Sequence, residues 1–464
     1  MKIRLDNIGI ISDSTIELNG LTVITGHNNS GKTTVGKALY AITSAVEDLQ
    51  LHALEDKRRF AIFQVRNVLG RLGLEIYGMN PEIIAEKIPS CRKLFLDMNE
   101  EVDNPKELYM LIDDFADELS DMTESDWKML SGEDIEPGVL FEEKKDAAVE
   151  DLKRLFEKLQ DDPELIEYAA AKINKTLNQE FNEQILPVAM PGSTGQILVT
   201  DKYGKPYYHL VIKDNRVLSG ERVFFGMAYE TVIFLDDVYV LDSLGDMRMG
   251  SGGVRRVPVM YRRTMDFRDG ILGQEHKEHL LRKLRIRQNN LFEELVYAKE
   301  AKDILNKIEA VFPDKITFLD GKCICSDSKL DVRNLATGSK MFAIIKMLLE
   351  RGQINERTLL ILDEPEAHLH PEWQNDFAEV MVLLIKEIHV SILLTTHSPN
   401  FLMAIETYAK KYGIWDMTNI YDTERMQESV MVEYKDVKTD IRQVYQKLAA
   451  PLFEIQQELQ KLEE

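Results

Sequence analysis

A glycine-rich loop between an apolar strand and a helix is the feature that most constrains this 464-residue chain. Residues 26–33 read Gly-His-Asn-Asn-Ser-Gly-Lys-Thr, which fits the pattern G-x-x-x-x-G-K-[ST], and they follow the apolar run at residues 21–25. In such a loop, backbone amides and the N-terminus of the next helix face phosphate oxygens. A chance match in a turn is the alternative, but strand, loop and helix occur in the required order. The sequence therefore predicts a phosphate-binding loop, followed by a helix over residues 33–46.

The polar residues of this glycine loop (residues 26–33) have distinct expected roles. Lys32 is expected to reach the β- and γ-phosphates of a nucleotide, and the Thr33 hydroxyl is expected to bind Mg²⁺. ATP and Mg²⁺ are therefore the predicted cofactors. The residues predicted to bind the nucleotide in or beside the loop are Gly26, Asn28, Asn29, Ser30, Gly31, Lys32, Thr33 and Thr34.

Two later apolar strands also end in polar residues. The run at residues 358–362 precedes Asp363, which is expected to hold Mg²⁺ through water, and Glu364, which is expected to orient or deprotonate the attacking water. The run at residues 392–395 ends in Thr-His-Ser, with His397 placed 33 residues after Glu364. A histidine at a strand end is more often structural than catalytic. Because one strand-helix-strand unit would bring His397 to the same sheet edge, we predict a catalytic role for it.

Together these motifs resemble the ATP-binding-cassette (ABC) superfamily in its SMC-like and OLD-like branch. The resemblance rests on the glycine loop, on LLILDEPEAHLHP and on LLTTHSP, and it covers residues 1 to about 40 and about 330 to 400. It implies an α/β fold, an ABC-type ATPase head with a P-loop parallel sheet and an antiparallel β subdomain, interrupted by helical insertions. Transporter nucleotide domains are less similar, because 331 residues separate Lys32 from Asp363 here.

The resemblance also implies that two heads sandwich ATP and that each site is completed by a loop of the other head. The candidate is the trans loop (residues 334–340, Asn-Leu-Ala-Thr-Gly-Ser-Lys), which precedes a predicted helix. It departs from the common Leu-Ser-Gly-Gly-Gln form because Ala336 occupies the usual serine position. Thr337 or Ser339 would supply the missing hydroxyl, and Gly338 would keep the helix N-terminus close to the γ-phosphate.

Composition and charge divide the chain into segments. The net charge is −22, and residues 97–164 alone carry 24 acidic and 7 basic residues, whereas residues 248–287 carry 11 basic and 4 acidic ones. The expected segments are a discontinuous head at 1–50, 186–242 and 316–435, a helical acidic insertion at 51–185, a basic, partly helical insertion at 243–315, and a C-terminal helix at 436–464, interrupted at Pro451.

Each charged segment can be interpreted either as a solvated surface or as a binding surface. The acidic one could be a docking surface or a DNA mimic, but a solvated helix face is the more common meaning of such a run. The basic one either contacts nucleic-acid phosphates or an acidic partner, or is a solvated helix face, and the sequence leaves this open. The basic residues that we single out as candidates for this contact are Arg255, Arg256, Arg262, Arg263, Arg282, Lys283, Arg285 and Arg287.

Cysteine usage and hydropathy indicate the compartment. Three cysteines without a C-x-x-C pair do not form a disulfide framework, and we expect Cys323 and Cys325 to be buried thiols rather than metal ligands. No stretch reaches about 18 apolar residues, and the N-terminus lacks an apolar signal core. We therefore expect a cytoplasmic protein without a membrane partner.

The expected function is that of an ATP-binding and hydrolysing ATPase that dimerises or assembles on ATP and controls a separate effector. Stand-alone heads of this length resemble ATPase subunits of anti-phage modules such as Septu and PARIS, which suggests a nuclease as effector. Only 67 residues follow His397, fewer than the nuclease domain that OLD-family proteins carry there. Two alternatives remain open, a nucleotide-gated scaffold with negligible turnover and a DNA repair or recombination ATPase of the SMC-like branch.

Overall fold

The structure is a computed structural model. It describes residues 1–74, 81–95, 105–131, 139–160, 165–218, 229–244, 275–285, 301–319, 322–427 and 429–463. These residues form two compact units. The first contains Met1–Glu47 and every described residue from Ala170 onward, and the described residues of the second lie within Asp48–Ala169.

The strands belong to the first unit, and the helices are shared between the two units. The strands are β1 (Lys2–Ile8), β2 (Ile11–Glu17), β3 (Leu21–Thr25), β4 (Thr194–Thr200), β5 (Pro206–Lys213), β6 (Arg216–Val217), β7 (Thr231–Leu235), β8 (Ile316–Leu319), β9 (Lys322–Cys325), β10 (Thr358–Asp363), β11 (Ser391–Thr396), β12 (Thr418–Arg425) and β13 (Val432–Asp436). The helices are α1 (Lys32–Val46), α2 (Leu49–Arg71), α3 (Pro81–Lys87), α4 (Pro89–Phe95), α5 (Pro105–Ser120), α6 (Glu124–Ser131), α7 (Val139–Gln160), α8 (Leu165–Glu180), α9 (Glu275–Lys283), α10 (Lys302–Val311), α11 (Thr337–Glu350), α12 (Pro371–Leu383), α13 (Pro399–Lys411) and α14 (Ile441–Glu463).

An 11-stranded sheet organises the first unit, in the order β6-β5-β4-β1-β2-β13-β12-β3-β11-β10-β7. Strands β12, β3, β11, β10 and β7 pair in parallel, whereas β6, β5, β4, β1 and β2 pair in antiparallel fashion. Every residue of β3 is buried, and so are five of the six residues of β10 and of β11. Such continuous burial is typical of parallel strands covered on both faces. The predicted α/β class, with a parallel sheet and an antiparallel subdomain, is confirmed.

The register of the parallel strands brings the polar motifs to one edge. Asp363 at the end of β10 pairs with Thr395 of β11, and Thr396 of β11 pairs with Thr25 at the end of β3. The glycine loop leaves β3 at this same edge. The carboxyl ends of parallel strands therefore place residues far apart in the sequence beside one another, as open α/β sheets do at their ligand sites.

Two local expectations differ from the structure. The sequence of residues 231–241, TVIFLDDVYVL, predicts one continuous strand. The strand instead ends at Leu235 and gives way to a 3₁₀ segment at Val238–Leu244, because the Asp237 carboxylate accepts the Tyr239 backbone N–H and closes a turn. The predicted interruption at Pro451 is also wrong, since α14 continues through it. A proline removes one backbone hydrogen bond without necessarily ending a helix.

The second unit is helical and has its own hydrophobic core. Five apolar residues of the acidic segment recur at helical spacing, and all five are buried there: Leu108, Leu111, Ile112, Phe115 and Leu119. Among the residues described above, no helix is both long and apolar enough to cross a bilayer.

Candidate functional site

The glycine loop is shaped by contacts that exclude side chains. Gly26 has φ +145°, and a Cβ there would lie 1.8 Å from the Thr423 hydroxyl of β12. Gly31 has φ +76°, and its carbonyl accepts a 2.6 Å hydrogen bond from the Tyr434 hydroxyl of β13. The neighbouring strands thus brace the loop from behind. Asn28 and Asn29, between the two glycines, remain exposed.

Lys32 begins α1 and turns its ammonium group back over the loop. Its Nζ lies 3.2 Å from the Gly26 carbonyl oxygen, 2.9 Å from that of His27 and 3.1 Å from Glu364 Oε1. The side chain is only 5% exposed. The one buried cation of the loop is therefore paired with the carboxylate that the sequence assigns to catalysis.

Asp363 is held by two hydroxyl groups. Thr33 Oγ1 donates to Asp363 Oδ2 at 2.7 Å, and Thr395 Oγ1 donates to Asp363 Oδ1 at 2.5 Å. Burial raises the pKa of Asp363, although both hydroxyl hydrogen bonds act in the opposite direction. Burial thus leaves this carboxylate short of compensating positive charge, which is the situation a divalent cation would relieve.

The residues present fit Mg²⁺, because Thr33 and Asp363 offer the hard oxygen atoms that this ion prefers. Within the described part of the chain, no group of three or more His, Cys, Asp or Glu side chains could hold a metal by itself. Mg²⁺ usually binds one or two carboxylates together with substrate phosphates and water. Thr33 and Asp363 would hold the ion only as part of a nucleotide complex.

Glu364 projects from a strained backbone. Its φ is +48°, which is uncommon for a residue with a side chain, and its N–H donates to Thr395 Oγ1 at 3.0 Å. The side chain is 32% exposed and reaches both Lys32 and His397, whose Nδ1 lies 3.3 Å from Glu364 Oε2. Strain of this kind persists where surrounding contacts fix it, and it clusters at functional sites.

Glu366 holds residues 396 and 397 in place through hydrogen bonds. Its Oε1 accepts hydrogen bonds from the Thr396 hydroxyl and from the His397 backbone N–H, the latter at 3.2 Å. The side chain is 2% exposed, and burial raises the pKa of its carboxyl group. Its second oxygen is buried without a hydrogen-bond partner in the described chain. Glu366 therefore fixes the position of His397 beside Glu364.

A cavity of about 510 Å³ opens over the loop. Besides the residues already described it is lined by Ile10 of the β1–β2 turn, by Phe181 after α8 and by Lys37, whose Nζ donates to the Glu180 carbonyl at 3.0 Å. The cavity thus joins the glycine loop to the apolar side chains of Ile10 and Phe181. Of the predicted nucleotide ligands it contains Asn28, Asn29, Ser30, Gly31, Lys32, Thr33 and Thr34, together with Asp363 and Glu364.

The trans loop lies outside this cavity's lining. Thr337 starts α11, and its hydroxyl lies 3.4 Å from that of Tyr239. Gly338 is packed so closely that a Cβ would lie 3.1 Å from the His368 carbonyl and from the Trp373 ring. Ser339 is half-buried. One chain therefore does not bring Thr337, Gly338 and Ser339 into its own glycine-loop cavity.

A buried lysine fixes the start of α11. Lys340 is 2% exposed, its Nζ lies 2.5 Å from Asp242 Oδ1, and it sits 4.9 Å from the centre of the Tyr239 ring. Tyr239 also makes an edge contact with His368. These contacts tie the helix N-terminus to the 3₁₀ segment after β7 and hold the trans loop in a defined position.

A second buried charge cluster stands behind β7, and sequence reasoning missed it. His276 of α9 is fully buried, with Nδ1 2.6 Å from Glu180 Oε2 and Nε2 3.1 Å from Asp236 Oδ1. Burial disfavours its charged form, but the nearby carboxylates of Asp236 and Glu180 outweigh burial and raise the pKa of His276 to about 9. Asp236 follows β7 directly, so this cluster fixes the strand end that leads to Tyr239.

Most of the basic segment lies outside the described residues, including Arg255, Arg256, Arg262, Arg263 and Arg287. Of its described members, Lys283 lies 2.5 Å from Glu47 Oε1 and is 12% exposed. Lys283 is therefore part of a largely buried ion pair inside the first unit. The predicted nucleic-acid contact is not tested by the described part of the segment.

Comparison with known proteins agrees with the motifs. Residues 270–402 match a family model described as an AAA ATPase domain, and residues 2–52 match one described as an AAA domain. A protein named "Retron Vc95 probable ATPase", from Vibrio cholerae serotype O1 biovar El Tor, is 25% identical over 134 residues. That match covers 27% of this chain and only 25% of the relative's length.

Solved structures that can be aligned with this chain include two SMC head domains. The SMC head domain from Thermotoga maritima aligns with 94% of this chain and 98% of its own, at 10% identity and a TM-score of 0.34. The Smc head domain with a coiled coil and joint from Pyrococcus yayanosii aligns with 97% of this chain and 99% of its own, at 10% identity and a TM-score of 0.34. UvrA2 from Deinococcus radiodurans aligns with 97% of this chain and 58% of its own, at 11% identity and a TM-score of 0.30.

Proposed function

We propose that this chain, an ATPase-domain protein of the ABC and SMC-like class, binds and hydrolyses ATP and uses the nucleotide state to control a separate effector protein. The observation that carries the proposal is the meeting of two distant motifs on one cavity. Lys32 contacts Glu364 and Thr33 contacts Asp363, so the phosphate-binding loop and the acidic strand end form one site.

Phosphate binding would rearrange the charges that the site now pairs internally. The Lys32 ammonium is satisfied by two loop carbonyls and by Glu364. The β- and γ-phosphates of ATP would compete for this ammonium, since charge-assisted hydrogen bonds to phosphate are strong. Withdrawal of Lys32 would leave Glu364 free to accept a proton from the attacking water. The site would therefore gain its general base only after ATP has bound.

The remaining residues of the site would position the bound nucleotide and stabilise its charge. Thr33 and Asp363 would hold Mg²⁺, which would neutralise phosphate charge. His397, oriented by Glu366, would form a hydrogen bond with the γ-phosphate. Ile10 and Phe181 would pack against the base.

Assembly would complete the site. Thr337, Gly338 and Ser339 lie outside the cavity of their own chain, and Lys340 with Asp242 holds them in place. A helix N-terminus that carries hydroxyl side chains suits a phosphate of a nucleotide bound by another copy. We therefore propose a homo-oligomer with ATP sandwiched between two first units.

The effector is assigned to another polypeptide, a nuclease in an anti-phage module. The name of the Vibrio cholerae relative, a retron probable ATPase, supports the ATPase part of this proposal. The basic segment at residues 248–287 is proposed to contact nucleic acid or the effector. Cytoplasmic placement is supported by the three cysteines, all of which are free thiols.

A steady-state ATPase assay against protein concentration tests the proposal. We expect the rate per chain to rise with concentration, because each site needs two copies, and we expect the purified chain to leave DNA and RNA uncut with Mg²⁺ or Mn²⁺. Bound ATP and assembly without turnover would support the gated scaffold instead. Stimulation by DNA ends would support a repair ATPase.

A further inference from the structure

The last helix of the chain changes its surroundings halfway along. In the first half of α14, Ile441 and Val444 are buried, and Tyr445 and Leu448 pack against the core of the first unit. In the second half, every residue from 451 to 462 is exposed. No described part of the chain covers this segment, which we call the tail of α14.

The tail nevertheless carries a regular apolar stripe. Leu452, Ile455, Leu459 and Leu462 are 61%, 70%, 56% and 84% exposed, and their spacing of three, four and three residues places them at the a and d positions of a heptad pattern. Phe453, 54% exposed, lies beside the stripe. A helix this short is marginal in water when it packs on nothing, so the stripe indicates a helix that is stable in a bound state.

Charge separates two possible occupants, a second copy of the tail and a helix of another protein. With Leu452 at position a, Glu458 occupies position g and Glu463 occupies position e of the next heptad. In a parallel pair of tails, Glu458 of one helix would therefore face Glu463 of the other. In an antiparallel pair aligned along the stripe, the two Glu458 residues would face each other. Lys461, the tail's only basic residue, already lies 2.6 Å from Glu458 of the same helix. Like charges therefore flank the stripe in both self-pairings.

We propose that the tail of α14 is the docking site for a helix of a separate protein, with a Leu- or Ile-rich stripe flanked by Lys or Arg. A basic flank complements Glu458 at the edge of the stripe and the chain's net charge of −22. Identification of this partner with the effector rests on the proposed function. The stripe and its charges do not depend on it.

Synthetic peptides of about three heptads test the proposal on the full chain. One carries Leu and Ile at a and d with Lys at e and g, a second carries Glu at e and g, and a third has the sequence of the first in scrambled order. Fluorescence anisotropy should show the first binding at least about tenfold more tightly than the other two. The double variant Ile455→Glu with Leu459→Glu should lose at least about tenfold of that affinity.

A matched control separates the stripe from simple charge attraction. Gln457→Glu with Gln460→Glu adds the same two negative charges to the same exposed helix, away from the a and d positions, and should bind the first peptide at least as well. Equal binding of the scrambled peptide, or full affinity in the stripe variant, would overturn the proposal. Self-association of the wild-type chain in sedimentation velocity that the stripe variant abolishes would also overturn it, because the occupant would then be a second copy.

The result is separable from the proposed ATPase function. Peptide affinity should be unchanged in Lys32→Ala, and ATP affinity should be unchanged in the tail variants. A wild-type chain that fails to bind ATP but binds the basic peptide would contradict the proposed function alone. One that binds ATP but shows no preference among the three peptides would contradict the docking site alone.

Discussion

The glycine-loop cavity and the trans loop differ in how many of their functional contacts one chain makes by itself. In the cavity, Lys32 meets Glu364 and Thr33 meets Asp363, although 331 residues separate Lys32 from Asp363. In the trans loop, the contacts of Gly338 and Lys340 only hold the helix N-terminus in place. Under the proposed function, the cavity is therefore a nearly complete site, whereas the trans loop is a positioned surface that would contact a nucleotide bound by another copy. Variants of the two regions should consequently fail at different steps.

Lys32→Ala is expected to have the largest effect, a loss of ATP affinity of about 1000-fold. The ammonium is the buried cation of the loop, and truncation removes its charge-assisted bonds to the phosphates. Isothermal titration calorimetry with ATP and Mg²⁺ measures this. Lys37→Ala is the matched control, because Lys37 lines the same cavity but donates to a backbone carbonyl, and its affinity should change by less than about tenfold. Near wild-type affinity in Lys32→Ala would contradict the assignment of the loop.

Glu364→Gln should lower kcat by about 100-fold while ATP affinity is retained. The amide keeps the size of the side chain but cannot accept the proton of the attacking water. It also breaks the ion pair with Lys32, so affinity for ATP should stay equal or improve. Single-turnover hydrolysis beside equilibrium binding checks both parts. Glu372→Gln, an exposed residue in the first turn of α12, serves as control. Wild-type turnover in Glu364→Gln would place the base elsewhere.

The cavity was predictable from the sequence because its signals are local. The glycine spacing of residues 26–33, the apolar run before Asp363 and the one before His397 each fall within a dozen residues, and the parallel pairing then fixes their meeting point. Glu366 was not predicted, because its role depends on bonds to Thr396 and His397 about 30 residues away. The only available signal was its place directly after Asp363-Glu364-Pro in the same motif.

The surroundings of β7 were less predictable for a related reason. The apolar residues at 238, 240 and 241 suggest a continued strand, but the Asp237 side chain closes a turn that local hydropathy does not reveal. Asp236 is assigned a function only by its contact with His276, and the pairing of His276 with Glu180 joins two helices that are far apart in the sequence. Long-range polar pairs of this kind leave no periodicity to detect.

His276 links the two compared regions, because it fixes Asp236 at the strand end that leads to Tyr239 and the trans loop. Its pKa of about 9 lies above its ordinary value of 6.5, so its contribution to stability is complete below pH 6.5 and is lost as the pH rises through 9. We expect this to cost about 3 kcal/mol in the free energy of unfolding. Urea titrations between pH 6 and 10 measure it, and His276→Gln should remove this part of the pH dependence. An identical pH profile in the variant would show that the imidazole is neutral in the fold.

The smallest effect is expected in the trans loop, where a variant should leave the binding of ATP by a single chain unchanged. Gly338 is a poor probe because any side chain would press on His368 and Trp373, so Ser339, which is half-buried, is the better position. Ser339→Glu should lower the rate of ATP hydrolysis by about tenfold. The added negative charge would lie beside the phosphates of the nucleotide that another copy binds. Ser339→Ala tests the hydroxyl alone and should have less effect.

Mixing decides whether the site is shared between copies. In a mixed dimer of Ser339→Glu with Lys32→Ala, one site combines an intact glycine loop with an intact trans loop, while the other site has neither. Hydrolysis should therefore recover to part of the wild-type rate, although each variant alone is impaired. If the mixed dimer forms, as native mass spectrometry would show, and hydrolysis does not recover, then the residues near Ser339 act within their own chain. The contrast between a nearly complete cavity and an incomplete trans surface would then be wrong, and a flexible closure of one chain on itself would have to replace it.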